Sequence, residues 1–258
     1  MDRPSPSENY DCESCTPKKS LIVFSLGRTG SSWLTIGMYK VGLGIPMEYF
    51  HLEKMENMYK RWKNTSDFAF TEDTLAEYIN LLYTNRTTKN GVWSSKIHIN
   101  QWRALYKKIY STEDVMQLCT DLKEKFINPH FVFLYREDIL LQAISFYIAI
   151  ETNSWSSEYA EKNTVEYNFA SLKSLLVEVV TQVQRCRLIQ QNMDAPKIEL
   201  HYEELERNYN GSLQKVADLL GEKIEITDEI EFSGIQKQGT ERNLRWKKRF
   251  LADLEASS

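Results

Sequence analysis

A group of residues suited to holding an anion follows the first apolar run of the chain. Leu21-Ile22-Val23-Phe24 leads into Ser25-Leu26-Gly27-Arg28-Thr29-Gly30-Ser31-Ser32-Trp33. Gly27 and Gly30 frame a tight turn in which the backbone can take unusual torsions and approach a ligand closely. Ser31 and Ser32 stand where a helix would begin, as caps or as its first two residues. A helix N-terminus aims N–H groups and a positive dipole at one spot. Arg28 and the hydroxyls add donors that suit phosphate or sulfate. An ATPase loop needs four residues between its glycines and then Lys-Ser/Thr. Here only Arg28 and Thr29 intervene and no lysine follows. A second cation, Arg136, closes the run Phe131-Val132-Phe133-Leu134-Tyr135, where an ATPase would carry a metal-binding aspartate. Lys96 and His98 stand two apart and share one strand face. His98 has an unperturbed pKa near neutrality, which suits proton transfer, although a lone strand histidine more often serves as a hydrogen-bonded structural residue.

These residues need elements that bring them together, and the chain alternates strand-like and helix-like segments. That order predicts an α/β domain with a mainly parallel central sheet flanked by helices. Strands are expected at 21–26, 91–99, 130–135 and 197–201, with the third central. Helices are expected from Ser31 to about Val41, from Thr71 to about Tyr83, and at about 138–151, 164–191 and 212–220. Ser111-Thr112-Glu113-Asp114 has the form of a capping box for a helix running toward Phe126. Gly221 ends the helix before it. The segment 239–255 reads as basic and then helical. Arginine at the C-terminal end of a sheet strand lies where α/β folds place ligands.

The 258 residues, 42% hydrophobic and 26% charged, are enough for one such domain with a full core. A net charge of −4 argues against a broad basic face for nucleic acid. No segment has the length and apolarity of a membrane span. Residues 1–19 are polar, carry no apolar signal core, and read as a disordered tail before a domain at 20–258. A cytoplasmic location is the default expectation. Cys12-Glu13-Ser14-Cys15 is a lone pair within that tail and cannot complete a tetrahedral zinc site by itself.

The Gly27–Trp33 loop resembles the 5′-phosphosulfate loop of sulfotransferases that use 3′-phosphoadenosine 5′-phosphosulfate (PAPS). That superfamily carries Pro-Lys/Arg-Ser-Gly-Ser/Thr-Thr here. This chain has Gly27 at the proline position and Arg28 at the basic one. Ser31-Ser32-Trp33 is similar to the Thr-Thr-Trp of the cytosolic branch, whose tryptophan stacks on adenine. Arg136, Asp138, Gln142-Ala143 and Ser145 resemble the 3′-phosphate segment, in a form close to the bacterial trehalose 2-sulfotransferase type. Gly44-Ile45-Pro46-Met47-Glu48-Tyr49-Phe50 looks like that type's Gly-x-Pro-x-Glu-Phe-Phe, whose glutamate is the proposed base. Lys96-Ile97-His98 is similar to the Lys-x-His of the cytosolic branch, whose histidine is the base. Lys237-Gln238-Gly239-Thr240-Glu241-Arg242-Asn243 with Trp246 and Phe250 resembles the final cofactor-binding segment.

The resemblance implies a P-loop-like sulfotransferase fold over most of residues 20–252. It implies PAPS as sulfuryl donor, a carbohydrate or glycolipid hydroxyl as acceptor, and no metal. Glu48 or His98 would take the acceptor proton, with Arg28 and Lys96 stabilising charge. Gly27, Arg28, Thr29, Gly30, Ser31, Ser32, Trp33, Arg136, Ser145, Lys237, Gly239 and Arg242 would hold the donor. The loops Glu48–Asn64 and Thr152–Tyr167 would face the acceptor, and a homodimer is expected. A sulfotransferase acting on a non-sugar hydroxyl, a nucleotide-binding protein without turnover, and an ATP–magnesium phosphotransferase are the alternatives.

Overall fold

The computed structural model describes residues 4–155, 165–226 and 241–257. Four strands, β1 (Lys19–Ser25), β2 (Val92–His98), β3 (Pro129–Tyr135) and β4 (Lys197–His201), form one sheet among the described residues, in the order β2-β1-β3-β4. Every pairing is parallel. Parallel neighbours need crossovers, and helices supply them. Helices α1 (Ser31–Lys40), α2 (Leu52–Lys63) and α3 (Glu72–Arg86) join β1 to β2. Helices α4 (Ile99–Tyr110) and α5 (Val115–Glu124) join β2 to β3. Helices α6 (Ile139–Thr152) and α7 (Phe169–Asn192) join β3 to β4. Then come α8 (Tyr202–Arg207), α9 (Tyr209–Leu220) and α10 (Glu241–Ala256).

The period-two pattern of the strands divides the core. Ile22, Phe24, Trp93, Ile97, Phe131 and Phe133 face one layer, which also takes Tyr78, Trp102 and Phe250. Leu21, Val23, Val132, Leu134 and Leu200 face the other, against Leu34 of α1 and Leu213 of α9. Side chains alternate across a strand, so sheets covered on both faces need apolar residues at successive positions. The register aligns the strand ends. Ser25 lies opposite His98 on one side and Leu134 on the other, and Tyr135 lies opposite His201. The chain therefore leaves all four strands along one edge of the sheet.

Several local expectations change. Ser111 is the left-handed C-cap of α4, and Asp114 rather than Ser111 caps α5, accepting from the N–H groups of Met116 and Gln117. The expected acceptor loop at 48–64 is largely α2, and most of the second acceptor loop falls outside the described residues. The polar N-terminal segment, expected to be disordered, packs on the body from residue 4 onward. The Arg86 side chain is fully buried, 2.8 Å from Asp11, and donates to the carbonyls of Ser5 (3.1 Å) and Ser7 (2.8 Å). Asp11 also accepts from Arg61 at 2.9 Å and from Trp62 Nε1 at 3.0 Å. A buried guanidinium needs a counter-charge, and a polar segment supplies it here. No helix of the described residues is long and apolar enough to cross a membrane.

Candidate active site at the edge of the sheet

The Gly27–Gly30 turn after β1 is fixed by three donors. Thr29 Oγ1 donates to the Leu26 carbonyl at 3.0 Å, Gln142 Nε2 to that of Gly27 at 2.9 Å, and Arg136 Nη1 to that of Arg28 at 3.4 Å. The left-handed residues are Arg28 (φ 68°) and Gly30 (φ 77°), so Arg28 takes a torsion expected of Gly27. Gly27 is needed for closeness instead: a Cβ there would lie 2.8 Å from the Phe146 ring. At Gly30 a Cβ would lie 2.7 Å from the Tyr202 ring. Gly30 is the N-cap of α1, and Ser31 and Ser32 are its first residues, with no acidic side chain in the first turn. First-turn N–H groups have no acceptor within the helix, which makes this end a site for anions.

Two guanidinium groups converge beside the turn. Arg28 Nε donates to Ser145 Oγ at 3.0 Å and Nη1 to the Trp155 carbonyl at 2.9 Å. Arg136 lies over the Tyr202 ring at 4.6 Å. Among the described residues its Nε is buried without a hydrogen-bond partner, and the Glu203 carboxylate lies 4.0 Å away. Burial, with the neighbouring Arg136 charge, lowers the Arg28 pKa to about 10. It stays cationic at neutral pH, and the like charge of Arg136 adds to the effect of burial. A buried donor on one of two neighbouring cations fits an anionic ligand. On the far side, Lys247 of α10 pairs with Asp138, whose carboxylate caps α6 by accepting from the Leu141 N–H at 2.9 Å.

Next to this cradle sits a carboxylate with a dense set of partners. The loop carrying Glu48 is bound to β2, where Lys96 N–H donates to the Met47 carbonyl at 2.9 Å. Glu48 Oε1 lies 2.8 Å from Lys96 Nζ and 3.6 Å from His98 Nε2. Glu48 Oε2 accepts from Gln101 Nε2 at 2.9 Å and Lys54 Nζ at 3.3 Å. Burial alone would raise its pKa, but Lys96, then His98 and Lys54, hold the carboxyl well below the usual range. Lys96 Nζ also donates to Ser32 Oγ at 3.1 Å, so one ammonium joins the anion loop to the carboxylate. His98 Nδ1 meets the fully buried Ser25 hydroxyl at 3.0 Å.

The structure thus gathers Arg28, Ser32, Glu48, Lys96, His98, Arg136 and Ser145 along one edge. Ser145 is brought to Arg28 rather than to Arg136. Thr29 is buried, with its hydroxyl turned to Leu26, and Ser31 is buried. One face of Trp33 is stacked on Tyr209 at 4.7 Å, which leaves only the other face for a base. Arg242 lies over Trp246 at 5.9 Å, while Lys237 and Gly239 lie outside the described residues. Sequence reasoning missed Lys54, Gln101 and Tyr202 and gave Ser25 no role of its own, while Gln142, expected in the 3′-phosphate segment, instead holds the Gly27 carbonyl. Tyr202 had a signal: it follows β4 as Arg136 follows β3, so the register brings both to the same edge.

A family profile, two relatives and a solved structure are similar to this chain. The profile of the family described as Stf0 sulphotransferase matches residues 20–253. A trehalose 2-sulfotransferase of Mycobacterium tuberculosis is 22% identical, over 90% of this chain and 94% of its own. One of Mycolicibacterium smegmatis is 21% identical, over 91% and 95%. A sulfotransferase domain from the curacin biosynthetic pathway superposes with a TM-score of 0.49 and 13% identity, over 89% of this chain and 83% of that one.

Proposed function

The chain belongs to the Stf0 sulphotransferase family, and we propose that it transfers a sulfuryl group from PAPS to a hydroxyl of a carbohydrate or glycolipid. The carbohydrate class is supported by the two relatives named trehalose 2-sulfotransferase. The observation that carries the mechanism is Lys96 Nζ, at 3.1 Å from Ser32 in the anion loop and 2.8 Å from Glu48.

PAPS supplies the sulfuryl group and leaves as 3′-phosphoadenosine 5′-phosphate (PAP). The turn from Gly27 to Gly30 and the first N–H groups of α1 receive the 5′ end. Arg136, Ser145 and Arg242 would hold the 3′-phosphate, with Ser145 already joined to Arg28 at 3.0 Å. Lys96 and Arg28 offset charge that grows on the sulfuryl oxygens and the departing phosphate. The acceptor oxygen bonds to sulfur as the opposite sulfur–oxygen bond breaks, in line and without a covalent enzyme intermediate. Glu48 takes the acceptor proton. His98 is assigned the place behind it, because its two nitrogens already face Ser25 and Glu48. The positive charge comes from Arg28, Arg136 and Lys96, so the scheme calls on no metal. A cytoplasmic homodimer belongs to the same proposal.

Incubation with PAPS and trehalose, then with a trehalose glycolipid, tests the reading by PAP release and a sulfated product. Sulfation of either supports it. Sulfation of a simple alcohol or phenol alone moves the acceptor class to non-sugar hydroxyls. PAP binding with no transfer to any of them supports a nucleotide-binding protein without turnover.

A further inference from the structure

We propose that Lys54 is a positioning residue that covers Glu48 until an acceptor hydroxyl takes its place. The inference rests on the assignment of Glu48 as the base. An ionised carboxylate offers about four lone-pair sites. Three donors, Lys96, Gln101 and Lys54, lie within 3.3 Å of its oxygens, and the His98 ring stands at 3.6 Å. Two donors, Gln101 and Lys54, already occupy Oε2, and an acceptor hydroxyl must hydrogen-bond to the base before giving up its proton. A hydroxyl that approaches Oε2 must displace one of the two.

The geometry selects Lys54. Lys96 has a side chain only 4% exposed and is also held by Ser32, His98 is buried at the end of β2, and Gln101 stands half-buried on α4 with its Oε1 shut away from solvent. Lys54 reaches in from α2 with a side chain 36% exposed and makes the longest of the three hydrogen bonds. It stands in the first turn of α2, a helix whose His51 N-cap makes no side-chain cap bond. A cation in a first turn opposes the helix dipole, so the helix itself gives no reason for a lysine there. Among the described residues, the groups facing Glu48 are Lys96 and His98 of β2, Lys54 of α2 and the neutral Gln101 of α4. Of the two donors on Oε2, Lys54 is the exposed and more distant one, and its departure leaves the Lys96 contact to the anion loop in place.

Water then serves as a probe that needs no acceptor. A water oxygen bonds to sulfur, the bond from sulfur to the 5′-phosphate oxygen breaks, and Glu48 receives the proton, giving sulfate and PAP. The experiment measures PAP release from PAPS in buffer for the wild type, Lys54→Met, Lys54→Arg, Glu48→Gln and the Lys54→Met/Glu48→Gln double variant. PAP affinity of each is measured by calorimetry. The expected result is release several-fold faster in Lys54→Met, wild-type release in Lys54→Arg, and loss of the gain in the double variant. PAP binding with no acceleration in Lys54→Met overturns the inference, as does a gain that persists without Glu48. Failure of the wild type to bind PAP overturns the donor reading itself.

Discussion

The buried Lys96 and the half-buried Glu48 form an ion pair at 2.8 Å, and the same ammonium reaches Ser32 in the anion loop at 3.1 Å. One cation thus links the two halves of the site. Removing a charge-stabilising donor of this kind costs about 10²–10³ in kcat. Lys96→Met is expected to lose about that much in steady-state turnover while its PAP affinity, read by calorimetry, changes less.

Glu48→Gln keeps the shape and the Gln101 contact but removes the base. Turnover should fall by about 10²–10⁴, the usual worth of a general base, with PAP binding intact. His98→Gln should cost less, because His98 acts through Glu48. A larger loss in His98→Gln than in Glu48→Gln would reverse the two roles.

Arg136→Ala and Arg28→Ala each delete a charged donor set from the cradle. Hydrogen bonds to charged groups are worth about 1.5–3 kcal/mol, so PAP affinity should drop roughly tenfold to a hundredfold for each. Circular dichroism should stay native, since both side chains point at the cradle rather than the core.

Much of this cradle was legible in the sequence, because glycine spacing and a strand ending in arginine are local signals. Glu48 was legible only through the resemblance, since an acidic loop residue looks solvated. Its partners were not legible at all. Lys54 and Gln101 come from α2 and α4, and which of their faces meets Glu48 depends on packing between helices far apart in sequence. The N-terminal segment was misread for a related reason: its polarity signalled a free tail, while the buried charge of Arg86 that it satisfies lies 75 residues away from Asp11.

The Asp11 contact is itself testable. Asp11→Ala removes the carboxylate partner of a fully buried guanidinium and leaves it the carbonyls of Ser5 and Ser7 and the Tyr49 and Trp62 rings. Losing a charged partner of this kind costs about 1–3 kcal/mol, visible as a lower urea midpoint. An unchanged midpoint would mean the segment does not dock.

The depressed pKa of Glu48 has a stability consequence with a definite sign. Its folded-state pKa lies below the unfolded value of about 4.5, so its ionised form stabilises the fold above that value. This contribution is lost as pH falls through the folded pKa. The wild type should therefore be more stable than Glu48→Gln at neutral pH. In urea titrations the gap should narrow progressively below about pH 4.5. A gap that widens on acidification would contradict the ion-pair assignment.

The most direct test of the account is calorimetric titration of the protein with PAP, set against ADP with magnesium, in the wild type and in Arg136→Ala. The account predicts tight PAP binding that Arg136→Ala weakens and a marked preference over ADP–magnesium. A preference for ADP–magnesium, or PAP affinity indifferent to Arg136, would contradict it.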